Sequence, residues 1–222
     1  MALAWGCEKL MKNKREAIAL ENRTNYEKML AEEEYIPDQE LGELAYECSK
    51  GLIKINSLPP RDPERQAFLK TFFASLGEHV TIKGNFNCDY GRHISIGDGA
   101  IINCSVTILD TNYVTIGTDV FIAPGVVISA ATHPLDAERR VTRHFQSHPI
   151  TIRDRAWIGA NATILTGVTI GHNSVIAAGS VVTEDIPDNC LAAGAPAKVI
   201  RVLPESPEEE GSASAFGAGF GL

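Results

Sequence analysis

Aromatic side chains are scarce in this chain, at 7% of its residues, so aliphatic side chains must fill most of any core. Long apolar runs are missing as well. No stretch reaches the ~18 uninterrupted apolar residues that a membrane-spanning helix needs, and Met1 to Lys14 mixes its apolar residues with Glu8, Lys9, Lys12 and Lys14. The chain reads as cytoplasmic, with no membrane partner. Positive charge is in deficit, with a formal net charge of -8, which argues against nucleic acid or an anionic membrane surface as the main partner. A local basic pocket for a phosphate-bearing cofactor is compatible with that sum. Paired cysteine motifs are absent too. Cys7, Cys48, Cys88, Cys104 and Cys190 are odd in number and form no CxxC pair, so neither a disulfide framework nor a cysteine zinc site is expected, and the thiols read as buried or idle.

The 222 residues suffice for one substantial domain with a smaller attachment. Residues 1–79 are rich in Glu, Lys, Leu and Ala, with Ala17, Leu20, Met29 and Leu30 at helical spacings. Pro37 and the Pro59-Pro60 pair interrupt them, and Arg61-Asp62-Pro63-Glu64 reads as the start of a helix through Phe68, Leu69, Phe72 and Phe73. Two or three short helices are expected. From 80 to 203 the composition turns to Ile, Val, Gly, Thr, Asn and Ala, which is that of β structure. Residues 204–222, with Glu208-Glu209-Glu210 and then Gly, Ser and Ala, cannot bury enough apolar area to offset ordering, and a disordered tail is expected.

Inside the β region an aliphatic residue recurs every six positions: Ile96, Ile102, Ile108 and Val114, then Ile116, Ile122 and Ile128, then Ile152, Ile158, Ile164, Ile170, Ile176 and Val182. Ordinary strands alternate every second residue and do not produce this period. Four positions after most of them stands a small or β-branched residue, such as Ala100, Val106, Val120, Val126, Ala156, Ala162, Val168, Ser174 and Ser180. A hexad cannot bury its own apolar side, so the units must stack coil upon coil, with backbone bonds between coils and turn formers at the corners. Gly97, Asp98, Gly117, Asp119, Gly125, Gly159, Gly167, Gly171, Asn173 and Gly179 are the expected corner residues. The period slips by two near Asn112-Tyr113. It fails altogether over about 129–150, where His133-Pro134, Asp136, Glu138, Arg139 and Arg140 suggest a loop extruded from the coil.

The run from Ile158-Gly159-Ala160-Asn161-Ala162 to Gly179-Ser180-Val181-Val182-Thr183 resembles the hexapeptide-repeat acyltransferases, and within them the maltose, galactoside and nodulation-type sugar acetyltransferases. Cys88-Asp89-Tyr90-Gly91, Ile108-Leu109-Asp110, Ala131-Thr132-His133-Pro134-Leu135-Asp136, Ala156-Trp157-Ile158-Gly159 and Gly194-Ala195-Pro196-Ala197-Lys198 carry the resemblance. Glu27 to Leu30, Tyr35 to Asp38 and Leu41 look like the maltose acetyltransferase segment that precedes the coil, at about 25–58. Two departures stand there: Glu33-Glu34 replaces Gly-Glu before the Tyr, and Cys48-Ser49-Lys50 replaces an Arg-rich helix. The resemblance implies a mainly β protein, a left-handed parallel β-helix with an N-terminal helical segment. It also implies acetyl-CoA as acetyl donor, a sugar-like hydroxyl acceptor, no metal, and a homotrimer with sites between subunits.

Acetyl transfer to a hydroxyl calls for a base near neutral pH, and a histidine, with an ordinary pKa of about 6.5, suits it. His133 stands where the hexads break and where the family keeps its catalytic histidine. For the acceptor the resemblance implies Asp38, Asp89, Asn103 and Asp110, with Asn103 and Asp110 on neighbouring coils. Asp38 also reads as a helix cap and Asn103 as part of an asparagine ladder. For coenzyme A the resemblance implies Trp157, Ala178 and Thr183 along the pantetheine arm, Lys198 and Arg201 toward the phosphates, and the Ala160 N–H at the developing oxyanion. Glu184 stands where the family has a Lys, and its carboxylate disfavours a phosphate.

Three rival readings remain. A zinc carbonic anhydrase on the same coil needs three converging histidines; His144 and His148 are four apart, and His93 and His172 lie outside that arrangement. A coil serving only as a scaffold is the second, since fold does not prove activity. A non-sugar hydroxyl acceptor is the third.

Overall fold

The computed structural model describes residues 23–204. Three parallel sheets form the faces of a prism, a left-handed β-helix, and each coil adds one short strand to each face. The first face runs Ser75–Leu76, Ile94–Ile96, Val114–Ile116, Ile150–Ile152, Thr169–Ile170. The second runs Thr81–Ile82, Ile101–Ile102, Phe121–Ile122, Trp157–Ile158, Val175–Ile176, Cys190–Gly194, and Ala197–Val202 closes it as an antiparallel edge. The third runs Asn87–Cys88, Thr107–Leu109, Val127–Ser129, Thr163–Ile164, Val181–Val182.

The register explains the six-residue period. Ile82, Ile102, Ile122, Ile158 and Ile176 are Cα partners down the second face. Ile96, Ile116, Ile152 and Ile170 do the same on the first, and Cys88, Ile108, Ile128, Ile164 and Val182 on the third. Each column is buried, as are the small residues four positions on, Ala100 through Ser180. Every such aliphatic side chain taken from water contributes roughly 1.5–3 kcal/mol. Ser174, polar in this column, is satisfied by donating to Pro187 O at 2.6 Å and accepting from Cys190 N at 3.1 Å.

Corners need the left-handed region, where short polar residues and glycine are tolerated. Between the first and second faces Asp119, Arg155, Asn173 and Asn189 have φ of 54°, 59°, 53° and 54°. Between the second and third faces Asn85, Ser105, Gly125, Asn161 and Gly179 do the same job. Carboxylates tie successive coils at the first of these corners. Asp98 accepts from Glu78 N at 2.7 Å, Asp154 from Thr118 N at 2.8 Å and Asp188 from His172 N at 2.8 Å.

Helices Asn25–Leu30, Gln39–Ser57 and Pro63–Phe72 precede the coil. Thr24 and Glu27 form a reciprocal capping box on the first. Asp62, followed by Pro63, caps the third. Cys48, Ile55, Leu69 and Phe73 join the same apolar core as the coils, so the second and third helices plug the prism's N-terminal end, while Met29 of the first packs with Tyr35 and Leu41. A Cβ at Gly51 would fall 2.4 Å from the Phe72 ring, so a larger residue there would force that ring to move where the two longer helices meet. The Sγ atoms of Cys48 and Cys88 touch at 3.6 Å inside that plug. Cys48, Cys88 and Cys190 are buried free thiols and Cys104 is partly so; Cys7, the Ala17–Leu20 spacing and the expected tail lie outside the described residues. No helix among the described residues is long and apolar enough to cross a membrane.

Candidate active site

After Ser129 the chain leaves the corner between the third and first faces. It pairs Ala131–Thr132 antiparallel with Gln146–Ser147, forms the short helix Ala137–Val141, and rejoins the first face at Ile150. Asp136 caps that helix by accepting from Arg139 N at 2.9 Å. Arg140 donates to Pro134 O at 3.2 Å and Leu135 O at 2.5 Å, drawing the helix back over the turn that follows His133.

His133 is exposed on this loop. Its Nδ1 lies 3.2 Å from His144 O. A carbonyl oxygen only accepts, so Nδ1 carries the proton and the Nε2 lone pair is free for a substrate. The imidazole rests on Phe145, with ring centroids 4.1 Å apart. His93 has the same tautomer for the same reason but a different fate. Its Nδ1 donates to Asp110 O at 2.6 Å and its Nε2 accepts from the Tyr26 hydroxyl at 3.0 Å. Burial holds its pKa below the ordinary histidine value, so it stays neutral and anchors the first helix to the coil.

Asp89, Asp110 and the loop occupy the same corner on three successive coils. The coils are spaced at about 4.8 Å, which puts Asp89 roughly 10 Å below the loop's root. Asp89 is half-buried, and burial pushes its carboxyl up to about 6. Asp110 departs from the expected role. It is 0% exposed, and its carboxylate accepts from the backbone N–H of Asp89 and Tyr90, each at 2.9 Å, and of His93 at 3.4 Å. Its oxygens fasten the turn beneath, and in one chain their burial keeps them from the surface where an acceptor would bind. Burial pushes its pKa up to about 7 against the pull of those amides.

Asp38 also has its oxygens engaged. It caps helix Gln39–Ser57 by accepting from Leu41 N at 3.2 Å, and it accepts from Asn25 Nδ2 at 2.8 Å; these bonds hold its carboxyl below the usual range. The structure shows the cap, made by a carboxylate that is also exposed.

Asn103 lies at the corner between the second and third faces, on the same coil as Asp110 and not on a neighbouring one. It occupies the far end of the third face from the loop, with strand Thr107–Leu109 in between, a span of at least about 10 Å. Lys83 and Ala123 stand in its place on the adjacent coils, so no asparagine ladder forms, and its Oδ1 accepts from Cys104 N at 3.0 Å.

Ala160 and Ala178 line that same corner two and three coils further on. Ala160 O accepts from Gly179 N at 2.8 Å, while its N–H has no partner among the described residues. Trp157, 53% exposed, stands on the outside of the second face between Phe121 and Val175, so packing does not occupy it. Thr183, Lys198 and Arg201 are exposed around the last coil. Lys198 Nζ sits 3.0 Å from Glu184 Oε2. The expected site residues therefore divide between two corners of one chain: His133 and Asp89 on one, Asn103, Ala160 and Ala178 on the other.

Several residues around His133 carried no signal in the sequence. Glu32 Oε2 meets His148 Nδ1 at 2.7 Å, and Glu34 meets Arg139 and, at 3.5 Å, His144 Nε2. Buried Asn112 and Ser147 donate to Met29 O at 3.0 and 2.8 Å. The partners in these contacts are separated by 83 to 118 residues wherever the first helix or the segment after it is involved. No local pattern reveals them.

Two family descriptions match the chain: bacterial transferase hexapeptide (six repeats) over residues 149–184, and the maltose acetyltransferase hexapeptide capping motif over residues 28–77. The galactoside O-acetyltransferase of Escherichia coli strain K12 is 44% identical over 148 residues, 67% of this chain and 73% of that protein. The crystal structure of a maltose O-acetyltransferase from Clostridium difficile 630 superposes with a TM-score of 0.80 at 38% identity, covering 82% of this chain and 99% of the other. A galactoside acetyltransferase solved in complex with coenzyme A gives a TM-score of 0.79 at 38% identity, over 82% of this chain and 92% of the other.

Proposed function

The chain belongs to the hexapeptide-repeat O-acetyltransferases of the maltose and galactoside type, and from that membership we propose that it moves the acetyl group of acetyl-CoA to a hydroxyl of a small sugar-like acceptor, with His133 as general base. The observation that carries this reading is the Nδ1 contact of His133 with His144 O. It fixes the tautomer whose Nε2 can take a proton.

His133 Nε2 removes the acceptor's hydroxyl proton as the oxygen attacks the thioester carbonyl, and then returns it to the departing thiolate. The Ala160 N–H, without a partner among the described residues, donates to the oxyanion. Trp157 and Ala178 border the groove for the pantetheine arm, Thr183 its end, and Lys198 with Arg201 the phosphate end. Asp89 and Asn103 bind acceptor hydroxyls.

One chain keeps His133 and Asn103 at opposite ends of a face. Two copies side by side, with the loop of one reaching the second-to-third corner of the next, bring them together. A closed ring of three such prisms repeats that contact at every boundary, which supports a homotrimer with three shared sites.

The test is acetyl transfer by purified His133→Ala, with acetyl-CoA and a panel of sugars, followed by release of free thiol. Loss of turnover with an unchanged thermal midpoint is expected. Undiminished turnover would overturn His133 as the base, and an enzyme that accepts no sugar while acetylating other alcohols would overturn the acceptor class.

A further inference from the structure

The loop that carries His133 has no core of its own. Its helix Ala137–Val141 buries no residue, and Leu135 is 96% exposed. A base held on such a loop needs outside support, because misplacement by about 1 Å can cost on the order of a hundredfold in rate.

That support comes from the N-terminal cap. Tyr35 N donates to Phe145 O at 3.1 Å and Phe145 N to Tyr35 O at 2.9 Å. The two rings stack with centroids 5.8 Å apart, and Tyr35 is buried. One residue earlier, the carboxylate of Glu34 pairs with Arg139, whose side chain is 53% exposed, and lies 3.5 Å from His144 Nε2, an ion pair only when that imidazole is protonated; the Glu34 side chain itself is 20% exposed. Phe145 and His144 in turn touch the imidazole, one by its ring and one by its carbonyl.

We infer that Glu34 and Tyr35, carried on the segment between the first two helices, are positioning residues for the base, acting on His133 through His144 and Phe145. The inference rests on the reading of His133 as general base. The cap is then part of the catalytic apparatus as well as the plug of the prism. Neither residue touches a reacting atom; each fixes the angle and tautomer of the one that does.

Glu34→Gln and Phe145→Ala in the full chain are compared with wild type for kcat and for the KM of acetyl-CoA, with thermal midpoints recorded. Both are expected to lose kcat by about 10- to 100-fold with KM for acetyl-CoA little changed, and Phe145→Tyr, which keeps the ring, to recover most of it. A folded Phe145→Ala with wild-type kcat, or losses confined to KM, would overturn the inference. If Phe145→Ala does not fold, Glu34→Gln decides alone: it keeps the side chain's shape and removes only the charge that pairs with Arg139. A dead His133→Ala beside a fully active Phe145→Ala ends this inference and leaves the base standing. An active His133→Ala ends both.

Discussion

Lys198 and Glu184 neutralise each other across the last coil, Nζ to Oε2 at 3.0 Å, with side chains 60% and 73% exposed. An exposed pair of this kind contributes about 0–1 kcal/mol to stability. Its consequence lies in charge: Lys198, the cation that the resemblance directs to the coenzyme's phosphates, already has a partner. Glu184→Gln frees it. The expected outcome is a fall of a few fold in KM for acetyl-CoA at constant kcat, lost again in the Glu184→Gln, Lys198→Ala double variant, with thermal midpoints unmoved. Initial-rate kinetics check it, and an unchanged KM in the single variant would remove Lys198 from the cofactor groove.

Asp110 titrates in the range where its burial matters. A carboxyl raised to about 7 by the fold, from 3.8 in the open chain, binds its proton more tightly in the native state. Stability from this group is therefore fully present below about pH 4 and is lost as pH rises toward 7. Asp89, raised to about 6, adds to the same slope. Asp110→Asn stays neutral throughout and should flatten the decline of thermal midpoint between about pH 4 and 7. Melting curves across that range measure it; parallel slopes for the two proteins would show that Asp110 is ionised throughout.

Gly125 faces Asn161 on the next coil, at the corner that carries Ala160. Its φ is 72°, and an added Cβ would lie 2.2 Å from Asn161 Oδ1. Gly125→Ala is expected to cost about 1–2 kcal/mol from backbone conformation alone, and to lower kcat by shifting Asn161 and with it the neighbouring Ala160 N–H. Denaturant unfolding and steady-state rates test the two halves separately. Full activity in a destabilised protein would argue against Ala160 as the oxyanion donor.

Asp38 offers a choice between cap and acceptor contact. Asp38→Ala should lose about 0.5–2 kcal/mol as an N-cap, whereas Asp38→Asn, which keeps the cap but loses the bond from Asn25 Nδ2, should lose less and keep acceptor KM. A stable Asp38→Asn with a strongly raised acceptor KM would restore the contact with the sugar.

The β-helix was legible because its signal is local and repeated: each of Ile158, Ile164, Ile170 and Ile176 must point inward for the same reason, and six residues carry the chain from one face to the next. Asp62 before Pro63 marked a helix start by chemistry confined to a few residues. His133 stood out because the repeat fails around it. Asp110 did not reveal its role, since an acidic residue beside a corner reads alike whether it faces a cleft or the amides of the coil beneath.

What the sequence alone determined is the column structure of the coil and the place where the loop carrying His133 leaves it, since periodicity and its interruption are properties of neighbours along the chain. Only the tertiary structure decided how that loop is held and which residues share a corner. The contacts of Tyr35 with Phe145 and of Glu34 with His144 join residues 110 apart in each case, and the short-range order of a sequence holds no information about a distance that exists only after the coil has wound.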